Sequence, residues 1–123
     1  MLKIGLISGS LFAGLSIVFG AFGAHALKNQ LTDYSLSVYD KAVLYQMFHA
    51  LGILIVTLMG QMIENLDVSL SIWFFIIGIV LFSGSLYILA ITDMKWLGMI
   101  TPIGGTFFIL GWFSLLFKSL NAN

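Results

Sequence analysis

Charged residues in this chain stand only at the ends of four long apolar stretches. The stretches cover about residues 4–27, 42–63, 68–92 and 96–117. Each is about as long as the roughly 20 apolar residues that an α-helix needs to cross ~30 Å of bilayer hydrocarbon. Because a charge at mid-bilayer is costly, this confinement of the charges predicts four membrane spans.

The four spans are expected to be α-helices of one domain, residues 1–123. A closed barrel would need about eight or more strands of alternating polarity, and the chain has no such alternation. Short connections favour antiparallel neighbours. The sequence therefore predicts an all-α integral membrane protein built as an antiparallel four-helix bundle. In the longest connection Ser37 and Asp40 have capping-box spacing, so we expect the second helix to begin near Ser37.

The composition agrees with a lipid environment. Of the 123 residues, 60% are hydrophobic and 8% are charged, whereas soluble domains have about 25% charged residues. The net charge is zero and arginine is absent, so nucleic acid is not an expected partner, and membrane lipids are. The absence of cysteine excludes disulfides. Lys3 with the apolar run that follows also has features of a signal peptide, although the run exceeds the usual apolar core of about 7–15 residues.

The polar side chains within the spans gather at one depth. We call the membrane side reached by the first and third connections side B, and the side of both termini side A. At ~1.5 Å rise per residue, these side chains all lie within about 14 Å of side B. Polar groups in hydrocarbon are costly without partners, so they should face inward and meet. The predicted polar layer consists of His25, Tyr45, Gln46, His49, Ser83, Ser85, Tyr87 and Thr101.

Two interpretations of this layer stay open. The side chains can serve as helix–helix glue, at ~0.6 kcal/mol per contact on average, or they can form a small site open to side B for an ion, a lipid headgroup or a proton. No metal, haem or other cofactor is expected, because no acid inside a span adds ligands to the two histidines. No catalytic residues are predicted either, since Ser83-Gly84-Ser85 is not a nucleophile elbow and no buried carboxylate orients a histidine.

A helix break is predicted in the fourth span, at Pro102, Gly104 and Gly105. Pro102 is either the first helical residue, capped by Thr101 after an irregular re-entry, or the site of a kink in a helix that began near Trp96. Both alternatives are open on the sequence alone.

Small residues at four-residue spacing indicate close helix approach. Gly5 and Gly9 form one such pair, and Ser16 and Gly20 form another. The chain has more small-residue faces than four helices need, so a homo-oligomer is expected.

Four motifs in fixed order carry a family resemblance: Gly20–His25, Tyr45-Gln46-x-x-His49-Ala50, Leu81–Tyr87 and Thr101–Gly105. Over nearly its whole length the chain resembles the domain of unknown function 423 family, also classed as uncharacterised protein family 0382, the YgdD/YwdK-like small membrane proteins. It is most similar to the membrane-stabilising protein A type. The resemblance implies a four-helix bacterial plasma-membrane protein with no assigned reaction and a role in membrane integrity.

Orientation is less well defined. Members of the family carry basic residues in the second connection and at the C-terminus, which implies cytoplasmic termini. This chain has Glu64 and Asp67 in that connection instead, and its lysines divide three to side B and two to side A. Three functions stay open: a non-enzymatic bundle that supports membrane integrity, a small-solute or ion transporter that uses the polar layer, and a lipid- or quinone-binding protein.

Overall fold

A computed structural model describes residues 1–122 as four long helices, with no strand in that range. The helices are α1, Leu2–Leu27; α2, Asp33–Met62; α3, Ser69–Thr92; and α4, Lys95–Leu120. Each is long and apolar enough to cross a membrane. The predicted all-α membrane fold with four spans is confirmed.

The two inner helices of the bundle are α2 and α3. In the most apolar stretch of each helix, 44% of the residues of α2 and 39% of those of α3 are buried, against 17% in α1 and in α4. Helix α1 packs mainly on α2, and α4 packs mainly on α3. The outer helices therefore present most of their side chains to the surroundings, as lipid-facing helices do.

Glycines set the distance between α1 and α2. Gly9 faces Leu54, and Gly20 faces Val43, so the two helices run antiparallel. A Cβ atom on Gly9 would come within 2.7 Å of the Leu54 side chain. The predicted close approach is therefore between α1 and α2 of the same chain. The glycine backbone of α1 lies directly against side chains of α2.

The prediction that the second helix begins near Ser37 is wrong. The helix begins at Asp33, and the Thr32 side chain caps it by accepting the Ser35 N–H at 3.1 Å. The Ser37 hydroxyl instead donates to the Tyr34 carbonyl at 2.7 Å, one turn back. Two hydroxyl residues compete as caps in this connection, and the earlier one adds another turn of helix before the apolar stretch.

Three of the spans depart locally from α-helical geometry. Helix α1 ends in a π-helical turn at Gly23–Leu27, and α3 contains another at Ile79–Ser83. Helix α4 opens with a 3₁₀ turn at Lys95–Met99 and becomes α-helical at Thr101. Pro102 lies in the first α-helical turn, where its missing N–H has no partner to lose.

Buried apolar side chains form two clusters at different depths. The larger cluster, toward side A, includes Ile53, Ile72 and Phe75, each 0% exposed. The smaller cluster, toward side B, includes Tyr39 and Ala42. The buried polar side chains discussed next lie on α2 and α3 between or beside these clusters.

Candidate functional site

Gln46 is the centre of a hydrogen-bonded junction among three helices. Its side chain is 2% exposed. The amide Nε2 donates to the Phe12 carbonyl of α1 at 2.9 Å, and Oε1 accepts the Tyr87 hydroxyl of α3 at 2.7 Å. One side chain of α2 thus bonds both neighbouring helices.

Two further hydrogen bonds extend the layer to α4. The Ser83 hydroxyl donates to the Ala42 carbonyl at 2.7 Å and joins α3 to α2. The hydroxyls of Ser85 and Thr101 lie 2.7 Å apart and join α3 to α4. Thr101 is itself the first α-helical residue, so it does not cap this helix, and Ile100 occupies the cap position without a side-chain cap bond.

His49 lies one turn deeper than Tyr45 and uses both of its ring nitrogens. Nδ1 is 2.9 Å from the Tyr45 carbonyl oxygen, which can only accept, so Nδ1 carries the proton. Nε2 then accepts the Trp112 indole N–H at 3.2 Å. The ring stacks on Phe108 with 3.5 Å between centroids and 5° between planes. His49 is therefore a neutral, fully bonded imidazole that ties α2 to α4.

Two residues of the predicted layer lie outside this network. His25 is exposed on the π-helical turn that ends α1. Tyr45 is 39% exposed and packs against Phe82 in a tilted arrangement, with 4.6 Å between ring centroids. Within residues 1–122 neither side chain has a hydrogen bond to another protein group. The structure thus brings together Gln46 with Tyr87 and Ser85 with Thr101, and leaves these two at the periphery.

Two residues that take part in the layer were not predicted. The Tyr39 hydroxyl donates to the Phe19 carbonyl at 2.6 Å, and its ring packs edge-on against Tyr87 at 5.1 Å. Tyr39 lies seven residues before Gln46 on the same face of α2, a helical spacing that could have indicated it. Trp112 is the second such residue, and its bond to His49 has no counterpart in the sequence pattern.

A groove of about 670 Å³ lies between α2 and α4 and opens on the outer surface of the bundle, where its lining residues Leu44, Phe48 and Ile109 are exposed. Its walls are mostly aromatic and aliphatic, with Phe82 of α3 behind them. The residues that define it are Tyr45, Phe48, His49, Gly105, Ile109 and Trp112. A volume of this size falls within the ~300–1,000 Å³ range of small-molecule sites.

Within residues 1–122 the structure has no set of side chains placed to bind a metal ion. No group of three or more His, Cys, Asp or Glu side chains there is arranged to hold a metal ion. His49 already uses both nitrogens, and His25 lies apart from it on another helix.

Four apolar spans whose buried hydrogen-bonding side chains meet inside the bundle define a multi-pass integral membrane protein. A family described as "Protein of unknown function (DUF423)" matches residues 19–105. The chain belongs to the DUF423 family, which confirms the resemblance seen in its motifs.

Curated relatives cover nearly the whole chain. A "UPF0382 membrane protein" of Staphylococcus epidermidis is 44% identical over 119 residues, 97% of each chain. One from Staphylococcus saprophyticus is 46% identical over 115 residues, 94% of this chain and 95% of the relative. The "UPF0382 membrane protein YwdK" of Bacillus subtilis is 41% identical over 116 residues, 94% of each chain. No solved structure matches the chain.

Proposed function

We propose that this protein is a structural membrane bundle that supports membrane integrity and carries out no chemical conversion. The observation that carries the proposal is the Gln46 junction, in which one buried side chain bonds both the Phe12 carbonyl and the Tyr87 hydroxyl. The polar groups of the layer are used to hold helices together. This use corresponds to helix–helix glue rather than to an open polar site.

Transport is the less favoured alternative. A solute pathway through hydrocarbon needs polar groups that face a common space. Gln46 and Ser83 are buried at 2% and 1% exposure and bonded to neighbouring helices. The groove beside them has mainly apolar walls and opens on the outer surface of the bundle, so it offers little to a hydrated ion.

The proposal is tested by comparing cells that lack the protein with cells that express it at native level. Loss of the protein should raise uptake of a membrane-impermeant dye, and the native chain should restore the barrier. The Gln46→Leu variant should restore it less well in proportion to its lower stability. Purified protein in vesicles should carry no chain-dependent flux of protons, Na⁺ or K⁺. A saturable flux that is lost in a folded His49→Ala variant would contradict the proposal and favour a transporter.

Homo-oligomerisation stays a separate prediction. Its motivation was the surplus of small-residue faces, but Gly9 packs on Leu54 and Gly111 on Phe75 within one chain. Gly14 is a small residue with open space around it. A single copy per particle after extraction directly into native-lipid nanodiscs would contradict the oligomer.

We also propose the bacterial plasma membrane as the location, with both termini cytoplasmic. The relatives come from bacteria and are named membrane proteins. Because the chain has no cysteine, single cysteines at Asn121 and Ser37 report the two sides separately. In intact cells an impermeant thiol reagent should label Ser37→Cys and spare Asn121→Cys. The opposite pattern would reverse the orientation.

A further inference from the structure

The groove between α2 and α4 opens at the depth where a bilayer offers only hydrocarbon. On α2 it extends from Leu44 to His49, all within the uncharged run that follows Lys41. On α4 it extends from Pro102 to Trp112, about 15 Å along the axis at ~1.5 Å per residue. A lipid chain can therefore enter the groove from the side without leaving the hydrocarbon layer.

The end of the groove toward side B carries a hydroxyl and a cation. Tyr45 lines the groove, is 39% exposed, and has no hydrogen bond from its hydroxyl within residues 1–122. Lys41 precedes Leu44 by three residues and Tyr45 by four, so it lies on the same face of α2, one turn nearer side B. Lys41 is exposed, and the ion pair in the described residues is elsewhere, between Lys118 and Asp67.

The nearest acidic residue on α2, Asp40, lies to one side of that face, one turn from Leu44 at the edge of the groove. Asp40 is adjacent to Lys41 in sequence and therefore points about 100° around the helix axis from it. Asp93 lies in the connection before α4 and is followed two residues later by a second cation, Lys95, at the start of that helix. The groove thus has a cation aligned with its open end and apolar walls below it.

We propose that this groove binds an anionic phospholipid, with one acyl chain between α2 and α4 and the phosphate near Lys41 and the Tyr45 hydroxyl. This inference goes beyond the structural role proposed above and does not depend on it. The apolar walls match the chain, and Lys41 and the Tyr45 hydroxyl match the headgroup in charge and hydrogen bonding.

Trp112 provides a direct probe, because it lines the groove. Trp73 and Trp96, the other two tryptophans, lie outside it and are replaced by phenylalanine so that fluorescence reports Trp112 alone. The protein is reconstituted in vesicles of phosphatidylglycerol or phosphatidylcholine, each in plain form and with bromine atoms on the acyl chains. Bromine quenches tryptophan only at short range. We expect at least twofold stronger quenching by a minor fraction of brominated phosphatidylglycerol than by the same fraction of brominated phosphatidylcholine.

Two variants test the headgroup contact and the acyl-chain contact separately. Lys41→Gln should bring the ratio between the two lipids to about one while leaving phosphatidylcholine quenching unchanged. Gly105→Leu should reduce quenching by both lipids, because a Cβ on Gly105 meets Phe82 at an ordinary 3.7 Å and the longer side chain then fills the groove. Lys28→Gln and Gly14→Leu are matched controls, since Lys28 follows the last residue of α1 and Gly14 has open space around it. Neither control should change the ratio.

Three results would overturn the inference. Equal quenching by the two brominated lipids in the parent protein would mean an unselective lipid surface. Unchanged quenching in Gly105→Leu would mean that the groove holds no chain. Trp112 that stays unquenched in both lipids would mean that another occupant, such as a second copy of the protein, covers the groove. Each of these results leaves the dye-uptake test of the proposed function unaffected.

Discussion

Toward side B, hydrogen bonds between helices add to glycine contacts, whereas toward side A the helices are held mainly by glycine packing. Toward side B, Gln46 and Ser85 bond across to neighbouring helices through hydroxyl, amide and carbonyl groups. Toward side A, helices approach by contact of glycine with aromatic or aliphatic side chains, as where Gly111 of α4 faces Phe75 of α3. In that half the Thr57 hydroxyl bonds its own helix, and the buried Ser71 hydroxyl has no partner among the described residues.

The difference separates packing from hydrogen bonding inside one membrane protein. In lipid, no hydrophobic driving force distinguishes a helix from the surrounding chains, so association rests on close packing and on polar contacts. Close packing tolerates no added atoms, whereas each polar contact contributes only a modest amount. Overpacking a glycine contact such as that of Gly111 should therefore cost more than removing one polar contact of the side B half.

The largest effect is expected from Gly111→Leu. A Cβ atom on Gly111 would lie 2.5 and 2.7 Å from two ring carbons of Phe75. Phe75 is 0% exposed and packs on Trp112 with 4.8 Å between centroids, so it has little room to move. Overpacking of this kind typically costs about 1–3 kcal/mol. We expect Gly111→Leu to lower the unfolding free energy, measured in lipid nanodiscs, by an amount near the upper end of that range.

The control for that variant is Gly14→Leu, which adds the same atoms where no neighbour lies within 4 Å. It should leave the unfolding free energy unchanged or slightly raised, because leucine is the better helix former. The double variant Gly111→Leu, Phe75→Ala should recover part of the loss. A Gly111→Leu protein as stable as the parent would contradict the packing account of the side A half.

The next largest effect is expected from Gln46→Leu. The change removes the bonds to Phe12 and Tyr87 and leaves the Tyr87 hydroxyl unpaired in a half-buried position. Two polar contacts in a membrane, at ~0.6 kcal/mol each, together with the unpaired hydroxyl give about 1–2 kcal/mol.

A double-mutant cycle separates this bond from general packing damage. Tyr87→Phe added to Gln46→Leu should cost less than Tyr87→Phe alone, because the hydroxyl has already lost its acceptor. We expect a coupling energy of about 1 kcal/mol. Strictly additive losses would mean that the two side chains do not act as a pair.

A smaller loss is expected from Ser85→Ala or Thr101→Val. Either change removes the bond between the two hydroxyls, at ~0.6 kcal/mol. Each hydroxyl also lies near a backbone carbonyl of its own helix, so the hydroxyl that remains after either change still has a hydrogen-bond acceptor. Combining the two changes should cost little more than one of them, measured by the same unfolding assay. Two full, independent losses would argue against a shared bond.

The smallest effect is expected at the exposed ion pair on side A. Hydrogen bonds from Ser69 and then from Lys118 lower the pKa of Asp67 below its ordinary value. The stabilisation from the carboxylate is therefore complete above pH ~4 and is lost as the pH falls through the lowered value. Asp67→Asn should flatten this part of the stability profile and change little at pH 7, since exposed pairs contribute ~0–1 kcal/mol. A large loss at neutral pH would be inconsistent with this account.

The meeting of polar side chains from different helices could be predicted in part from the sequence, and rotation about each helix axis could not. The polar residues were assigned to one layer by counting from charged ends, and Gln46 and Tyr87 do meet there. Which face points inward is poorly encoded where a helix is apolar nearly all round. Tyr45 and Gln46 are adjacent, at the same depth, yet one faces the groove and the other the bundle interior.

Local backbone geometry was the other part that sequence reasoning missed. The π-helical turn at Ile79–Ser83 lies where Phe82 packs against α4. The backbone nitrogen of Phe82 is so close to Gly104 that no side chain fits at position 104. The glycines were noticed, but neither propensity nor spacing identifies a π-helical turn inside a long apolar helix. The His49–Trp112 bond likewise joins α4 to an inner helix, and the sequence pattern did not indicate it.

Accessibility of the polar layer to water tests the central claim most directly. The native chain lacks cysteine, so Ser83→Cys and Ser37→Cys each introduce a single thiol with a serine-sized side chain. Ser83 is 1% exposed within the layer, and Ser37 is exposed near side B. With a membrane-impermeant thiol reagent applied from side B, the account predicts rapid labelling at position 37 and none at position 83 until the protein is unfolded. Comparable labelling of folded Ser83→Cys would mean that water reaches the layer, and the layer would then be an open site.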